Sequence, residues 1–504
     1  MFKILSAILS ASMSKQSSHH QTDIYAIARQ TMIDAGFEPD FNHAVLDEVK
    51  DAGAKAQALA ADSNVKDLRE LLWSSIDNKT SRDLDQVEYA EQLPSGDMRL
   101  LIGIADVDAS VPKGSAIDKH AEQNCTSVYT GVKTFAMLPE ELSTDLTSLV
   151  ANEDRRAIVT EMVVGSAGSV KTSDIYPARL RNRAKLSYEV IGDWLDGKSA
   201  VPEVVKSAPG LEAQLKLQQQ VAQDFGELRK EHGALELGTI QATPVVDESG
   251  RVVELEVAEQ NAARDLIADF MIAANVTMAK FLEDKGVPSL RRIVRTPKYW
   301  SRIVEIAAEV GEQLPAMPDS RALSEFLQRR KVADPIHFPD LSLAVVKSLG
   351  PGEYEVQMPG EEGEGHFGLA VDDYTHSTAP NRRYADLVTQ RLVKAALRNQ
   401  PPPYEGDELK EIARHCTERE DAARKVQRKM RKVAAALLLR NQIGQEFDAI
   451  VTGVSEKGTY ARIINPPVDG RVMRGEQGLR VGEKTRVQLL STDPERGFID
   501  FARA

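Results

Sequence analysis

With 504 residues, the chain exceeds what one hydrophobic core normally supports, so about two to four domains are expected. Hydrophobic residues at 42% and charged residues at 28% are ordinary for a globular protein and exclude wholesale disorder. A net charge of −13 argues against a non-specific nucleic-acid coat. It does not exclude a nucleic-acid enzyme, because binding follows where the positive charge sits.

Residues 1–13 hold one lysine and a short apolar stretch, a weak leader at most, with Met13 as an alternative start. No apolar run is long enough to cross a bilayer. The two cysteines, Cys125 and Cys416, form neither a disulfide framework nor a zinc-ligand spacing. A cytoplasmic monomer without an obligate protein partner is the expectation.

Residues 1–64 read as a small helical region. Thr22 can cap a helix bearing Ile24, Ile27 and Ala28 on one face and stopping at Gly36, and an alanine-rich helix follows over 43–61. This region is either a nucleic-acid-binding unit or a packing appendage. Residues 65–400 mix strand-like runs at 100–107 and 157–164 with helices at Leu211–Glu231, 262–283 and Tyr384–Leu397, an α+β pattern. A glycine-rich acidic loop spans 359–368, and Pro401–Pro403 marks a boundary. The linker and long helix occupy 401–443, the helix running over 407–442 with Gly444 as its cap. Residues 444–504 alternate short strands, quoted at 447–454, 457–464, 485–490 and 497–502, which suits a small OB-type barrel.

Asp77, Asp83 and Asp85 fall close together ahead of the 100–107 strand. Mg²⁺ takes hard oxygen ligands, typically one or two carboxylates with water and substrate phosphate. Such ions activate water and offset charge on a leaving oxygen. Taken alone, a run like this is more often solvated surface. A calcium loop fails, because Lys79 stands where a ligand is required and Arg82 where glycine is. The second constellation is 374–387, where Arg382 and Arg383 open a helix just after Pro380. Paired guanidinium groups at a helix N-terminus can fork onto a phosphate. The alternative is a pair of surface ion-pairing arginines. His376 stands nearby, but a metal-activated water needs no histidine, so a structural hydrogen bond is expected of it.

Together with 104–107, 126–129, 137–143, 273–275 and 378–386, in that order, the acidic segment resembles the ribonuclease II / ribonuclease R (RNB-domain) exoribonuclease family. The resemblance covers about 65–400, with a C-terminal OB-fold similar to the ribosomal S-one type. It implies processive 3′→5′ hydrolysis of single-stranded RNA to nucleoside 5′-monophosphates, with Mg²⁺ as cofactor and Mn²⁺ as its alternative. It also implies roles. Asp77, Asp83 and Asp85 are the metal-linked carboxylates, with Asp85 foremost. Arg382 holds the scissile phosphate, Tyr129 stacks near the 3′-terminal base, and Tyr188 lines the RNA path. Asp269 stands where the family has a ribose-reading glutamate.

The chain departs from the family pattern at several points. Gln86 replaces a second consecutive aspartate and binds a cation more weakly. Ala379-Pro-Asn-Arg382 replaces Ser-Pro-Ile-Arg, no aromatic lies near 235–237, and 1–64 has no room for tandem cold-shock domains. Gln86 keeps a second function open, a catalytically weakened RNA-binding regulator.

An RNA path needs positive charge. If 179–185 is a strand, Arg179, Arg181, Arg183 and Lys185 share one face leading to Tyr188. On the long helix Arg424, Arg428 and Lys432 form a basic stripe, which either meets phosphate or pairs with Glu418, Glu420 and Asp421. Phe447, Tyr460 and Phe498 are candidates for base stacking.

Overall fold

Two helices lead the chain. The computed structural model describes residues 23–60, 65–238, 242–247, 250–456 and 458–504. Helix α1 (Ile24–Asp34) is capped by Asp23, whose carboxylate accepts from the amides of Tyr25 and Ala26. Thr22, the cap expected from sequence, and the leader-like residues 1–13 lie outside the described residues. Gly36 takes a φ of +79° just beyond the helix, a left-handed stop that suits glycine. Helix α2 (His43–Ala60) buries Val45, Val49 and Ala52 in the central core. Its Glu48 carboxylate accepts from the amides of Ala116 and Ile117.

The central region is built on one sheet. Its strands are β1 (Lys66–Asp67), β2 (Trp73–Asp77), β3 (Gln86–Gln92) and β4 (Met98–Ala105). After α3 (Ala116–Asn124) and a small hairpin, β5 (Val128–Tyr129) and β6 (Thr134–Phe135), come the long strands β7 (Asp154–Val164) and β8 (Val170–Ser187). The order is β1-β8-β2-β3-β4-β7. The first part of β8 pairs antiparallel with β7 and its last part parallel with β2, so the sheet curls back on itself.

Alternation sends successive side chains to opposite faces. On one face Val87, Leu101, Ala157 and Leu180 meet α3 and two later helices, α11 (Tyr384–Leu397) and α12 (Gly406–Leu439). On the other, Ile76, Ala90, Leu100 and Ile102 pack on α4 (Tyr188–Leu195), α5 (Glu203–Lys206), α6 (Leu211–Glu231) and α7 (Ala262–Asp284).

Between α6 and α7 lies a hairpin, β9 (Ala242–Val246) with β10 (Val252–Val257). After α7, β11 (Ser289–Ile293) pairs with β12 (Glu353–Gln357) around three helices, α8 (Trp300–Glu309), α9 (Ser320–Ala333) and α10 (Phe338–Leu349). These helices form a satellite core around Trp300, Phe326 and Phe338, against which Leu235 and Leu237 pack.

Helix α12 ends at Leu439 and is continued by a 3₁₀ turn over Arg440–Gln442. Gly444, expected as its cap, instead follows that turn with a φ of +92°. The chain closes with a barrel of β13 (Glu446–Ser455), β14 (Gly458–Ile463), β15 (Val468–Arg474), β16 (Lys484–Asp493) and β17 (Phe498–Arg503). Strand β15 has no counterpart among the strands expected from sequence, and Gly470 hides it. A Cβ at Gly470 would stand 2.3 Å from the Phe501 ring in the barrel core. The Arg462–Asp340 ion pair (3.0 Å) ties the barrel to α10.

Candidate active site

Asp77 ends β2 and Gln86 begins its antiparallel neighbour β3, so residues 78–85 form a loop at one end of the sheet. The loop is held on several sides. Asp77 accepts from the Asn78 amide (2.6 Å) and the Ser81 hydroxyl (2.9 Å). The Leu84 amide donates to Ser148 Oγ (2.9 Å), and Lys185 Nζ donates to the Ser81 carbonyl. The Ala105 amide donates to the Asp85 carbonyl (2.9 Å). The loop therefore presents its carboxylates from an ordered backbone.

Residues 375–383 come to the same place. Asp386 accepts from the Ala379 amide (2.8 Å) and pairs with Arg383 (2.7 Å), turning the chain at the start of α11. The turn aims the Asn381 amide at Asp85 Oδ1 (3.1 Å) and brings Arg382 Nε to 3.4 Å from Asp85 Oδ2. Tyr129, from β5, donates through its hydroxyl to Asp83 Oδ2 (3.3 Å) and is 42% exposed, leaving its ring open to a base. Tyr188 opens α4, interacts electrostatically with Asp77 and Arg382, and carries the Arg264 guanidinium 4.4 Å above its ring. Asp77, Asp83, Asp85, Arg382, Tyr129 and Tyr188 thus assemble from four separate stretches of chain.

Burial is the largest influence on the Asp85 carboxyl and raises it to about 7. Arg382 and the Asn381 amide pull it down, and Asp83 and Asp386 push it up. Burial also raises Asp77. Glu88, two residues beyond Gln86, is fully buried, and burial pushes its carboxyl well above the usual range, with Asp77 adding to the rise. Uncompensated negative charge and hard oxygen donors suit a divalent cation. Among the described residues, no three His, Cys, Asp or Glu side chains close into a ready-made metal cage. The donor chemistry suits such an ion, and Asp77, Asp83 and Asp85 are the residues that would hold it.

Other expected residues find different partners. Arg179, Arg181, Arg183 and Lys185 do share one face of β8, as their alternating burial shows. Three of them are already engaged by protein groups: Arg179 by Asp67 (3.4 Å), Arg181 by Asp154 (2.6 Å), and Arg183 by the Arg69 carbonyl (2.6 Å). Lys185 is the pin of the acidic loop. Arg383, expected on phosphate, is committed to Asp386. Asp269, expected on ribose, is buried and ion-paired with Arg229 across the α6–α7 interface. Arg424 pairs with Asp421 (2.8 Å) and Glu420 (3.3 Å), and Arg428 is exposed. Tyr460 and Phe498 are exposed on the barrel, whereas Phe447 packs against its core. His376 shares a hydrogen bond with the Tyr354 hydroxyl (2.7 Å) and is kept neutral by burial, a structural role.

Sequence reasoning missed three contributors. The Asn381 amide reaches Asp85, and Asn275 accepts from the amide (2.9 Å) and hydroxyl (2.8 Å) of Ser377. Both fall in segments that carry the family resemblance, 273–275 and 378–386, but the resemblance implies no role of its own for either. Glu88 leaves a different signal: it is a charged residue at an inward position of an alternating strand.

Residues 65–399 match the RNB domain model, and 445–504 match the RNase II-type exonuclease C-terminal S1 domain. Ribonuclease R of Aquifex aeolicus is 29% identical over 471 residues, covering 86% of this chain and 64% of that protein. Ribonuclease R of Escherichia coli is 29% identical over 472 residues, covering 86% and 57%. The chain thus spans less than two thirds of the length of these relatives. The structure of Mycoplasma genitalium RNase R in complex with ribose methylated single-stranded RNA is similar in fold, with a TM-score of 0.84 at 24% identity, covering 96% of this chain and 78% of that one. Yeast Ssd1, described as a pseudonuclease, also shares the fold, with a TM-score of 0.64 at 18% identity, covering 81% and 50%. With its RNB model spanning most of the sequence, the chain belongs to the RNB-domain family.

Proposed function

We propose that the chain is a hydrolytic exoribonuclease that shortens single-stranded RNA processively from the 3′ end and releases nucleoside 5′-monophosphates. The observation that carries this reading is Asp85, a buried carboxylate oriented by the Asn381 amide and flanked by Arg382, with Asp77 and Asp83 beside it. The expected cofactor is Mg²⁺, with Mn²⁺ as the alternative. When bound, such a cation lowers the pKa of water and offsets charge on phosphate oxygens.

The chain's own groups do the rest. Asp77, Asp83 and Asp85 hold the ion. Asp85 also keeps the Arg382 guanidinium close to the carboxylates, where it can fork onto the scissile phosphate and stabilise developing charge. The Tyr129 ring is available to stack on the terminal base, and its hydroxyl steadies Asp83. Tyr460 and Phe498 on the barrel offer sequence-tolerant stacking upstream. A cytoplasmic setting fits the two free thiols, both buried.

Gln86 favours one competing reading, an RNA-binding regulator with weakened catalysis. One assay separates the two. Purified protein is incubated with 5′-labelled single-stranded RNA, with Mg²⁺ or EDTA, beside Asp85→Asn. Mg²⁺-dependent shortening from the 3′ end, lost in Asp85→Asn while binding persists, supports the nuclease. Tight binding without shortening in Mg²⁺ or Mn²⁺ would establish the regulator instead.

A further inference from the structure

Glu88 is an anomaly in the sheet. It is 0% exposed, and neither of its carboxylate oxygens has a hydrogen-bond partner. No lysine, arginine or histidine pairs with it among the described residues. Its cross-strand neighbours are Ser74 on β2 and Ile102 on β4. Gln218 of α6 lies over it, with Nε2 directed at the Glu88 carbonyl (3.4 Å). Ser74 Oγ and Gln218 Oε1 are likewise buried without partners. The surroundings are thus rich in unsatisfied oxygens. An isolated buried carboxylate is costly, and with no hydrogen bond made to it here a proton or a cation is left to relieve it.

The position links this anomaly to the acidic site. Gln86 and Glu88 share one face of β3, about 7 Å apart along the strand. A glutamate is one methylene longer than an aspartate, and strand side chains lean along the strand direction. Glu88 also interacts electrostatically with Asp77 and Tyr188, both members of the site.

We propose that Glu88 is a fourth carboxylate of the cation-binding site, supplying from the third residue of β3 the negative charge that Gln86 does not carry at the first. The proposal rests on the cation-dependent reading of the site given above. It makes Glu88 a positioning residue for the ion, buried on β3 two residues beyond Gln86. It also explains how a chain with Gln86 can still offer a bound cation four carboxyl groups.

The test is calorimetric titration of the RNA-free, full-length protein with Mn²⁺ and Mg²⁺. Four proteins are compared: wild type, Glu88→Gln, Gln86→Asp, and the double variant Gln86→Asp/Glu88→Gln. The expected result is a loss of roughly 10–100-fold in Mn²⁺ affinity for Glu88→Gln, recovered in the double variant. Gln86→Asp alone should gain little, because the charge is already present. Unchanged affinity in Glu88→Gln overturns the proposal and leaves Glu88 a protonated core acid. A tenfold or greater gain in Gln86→Asp alone overturns it too, and that arm decides the matter even if Glu88→Gln fails to fold. If wild type binds neither ion, the cation-dependent reading itself falls, and the proposal with it. Wild-type binding untouched by Glu88→Gln removes the proposal alone.

Discussion

Under the proposed function, replacing Arg382 by alanine separates transition-state stabilisation from simple RNA binding. Its side chain is 44% exposed and stands 3.4 Å from the buried carboxylate of Asp85, so Arg382→Ala is first checked for folding by thermal denaturation. Its weight falls on the reaction. At about 4 Å and an effective dielectric of about 20, a guanidinium and one phosphate charge attract by about 4 kcal/mol. Part of that attraction is already present toward Asp85 before substrate arrives. Removal of a comparable charge-stabilising donor elsewhere costs about 2.7–4 kcal/mol, a factor of about 10²–10³ in kcat. Arg382→Ala should therefore lower the single-turnover cleavage rate by about that factor, while RNA affinity, measured by anisotropy in EDTA, falls only a few-fold. Arg382→Lys should lie between, because it keeps the charge and loses the fork. Equal losses in rate and affinity would reduce Arg382 to a backbone contact and refute the reasoning.

Three further outcomes are expected. Lys394→Met leaves Asp106, whose side chain is fully buried, without its 2.7 Å partner, and should destabilise the central domain by about 3–5 kcal/mol in urea; a loss below about 1 kcal/mol would mean that Arg156, at 3.3 Å, suffices. Burial lowers His366 from 6.5 to about 4, so the unfolded chain binds its proton first. Its stabilising effect is full above pH 6.5 and is lost as pH falls toward 4, up to about 3 kcal/mol from the size of the shift. His366→Gln should flatten the denaturation profile across that window, and an unaltered profile would place acid sensitivity elsewhere. Finally, because Arg179 and Arg181 are already paired with carboxylates, Arg181→Gln should leave the salt dependence of RNA binding nearly unchanged. Arg428→Gln, at an exposed position, should make log K against log salt shallower by about 0.7. The reverse ordering would put the RNA path along β8.

Long periodic elements were legible without the structure. Leu211–Glu231 and Tyr384–Leu397 are helices with the bounds read from sequence, because apolar periodicity over many residues leaves little choice. The acidic loop and the arginine turn were legible as motifs, and the fold brings them together at Asp85, Asn381 and Arg382. What stayed hidden depends on distant partners. The basic face of β8 was visible, but not its neutralisation by Asp67 and Asp154, the latter on the neighbouring strand β7. Asp269 looked free to meet ribose until α6 supplied Arg229. Strand β15 was obscured by Gly470, whose lack of a side chain answers to Phe501 and not to any local turn. The leucines at 235 and 237, where an aromatic was sought, are occupied in the satellite core.

These hidden partners resolve an apparent conflict between the net charge of −13 and the RNA substrate proposed above. Many arginines that would make a broad basic coat are spent on nearby carboxylates: Arg99 on Glu91 and Glu161, Arg295 on Glu353, Glu355 and Glu364, Arg414 on Glu411 and Glu418. Such pairs leave little far field to hold nucleic acid non-specifically. Under the proposed function, the acidic loop adds repulsion that phosphate meets only at the end of its path. There Arg382, tethered to Asp85 yet 44% exposed, and the cation expected beside it turn that repulsion into local attraction. Under the proposed function, RNA is gripped upstream by stacking and a few exposed cations, and charge is concentrated where the bond breaks. Such a division would let an acidic chain bind RNA loosely enough to move along it.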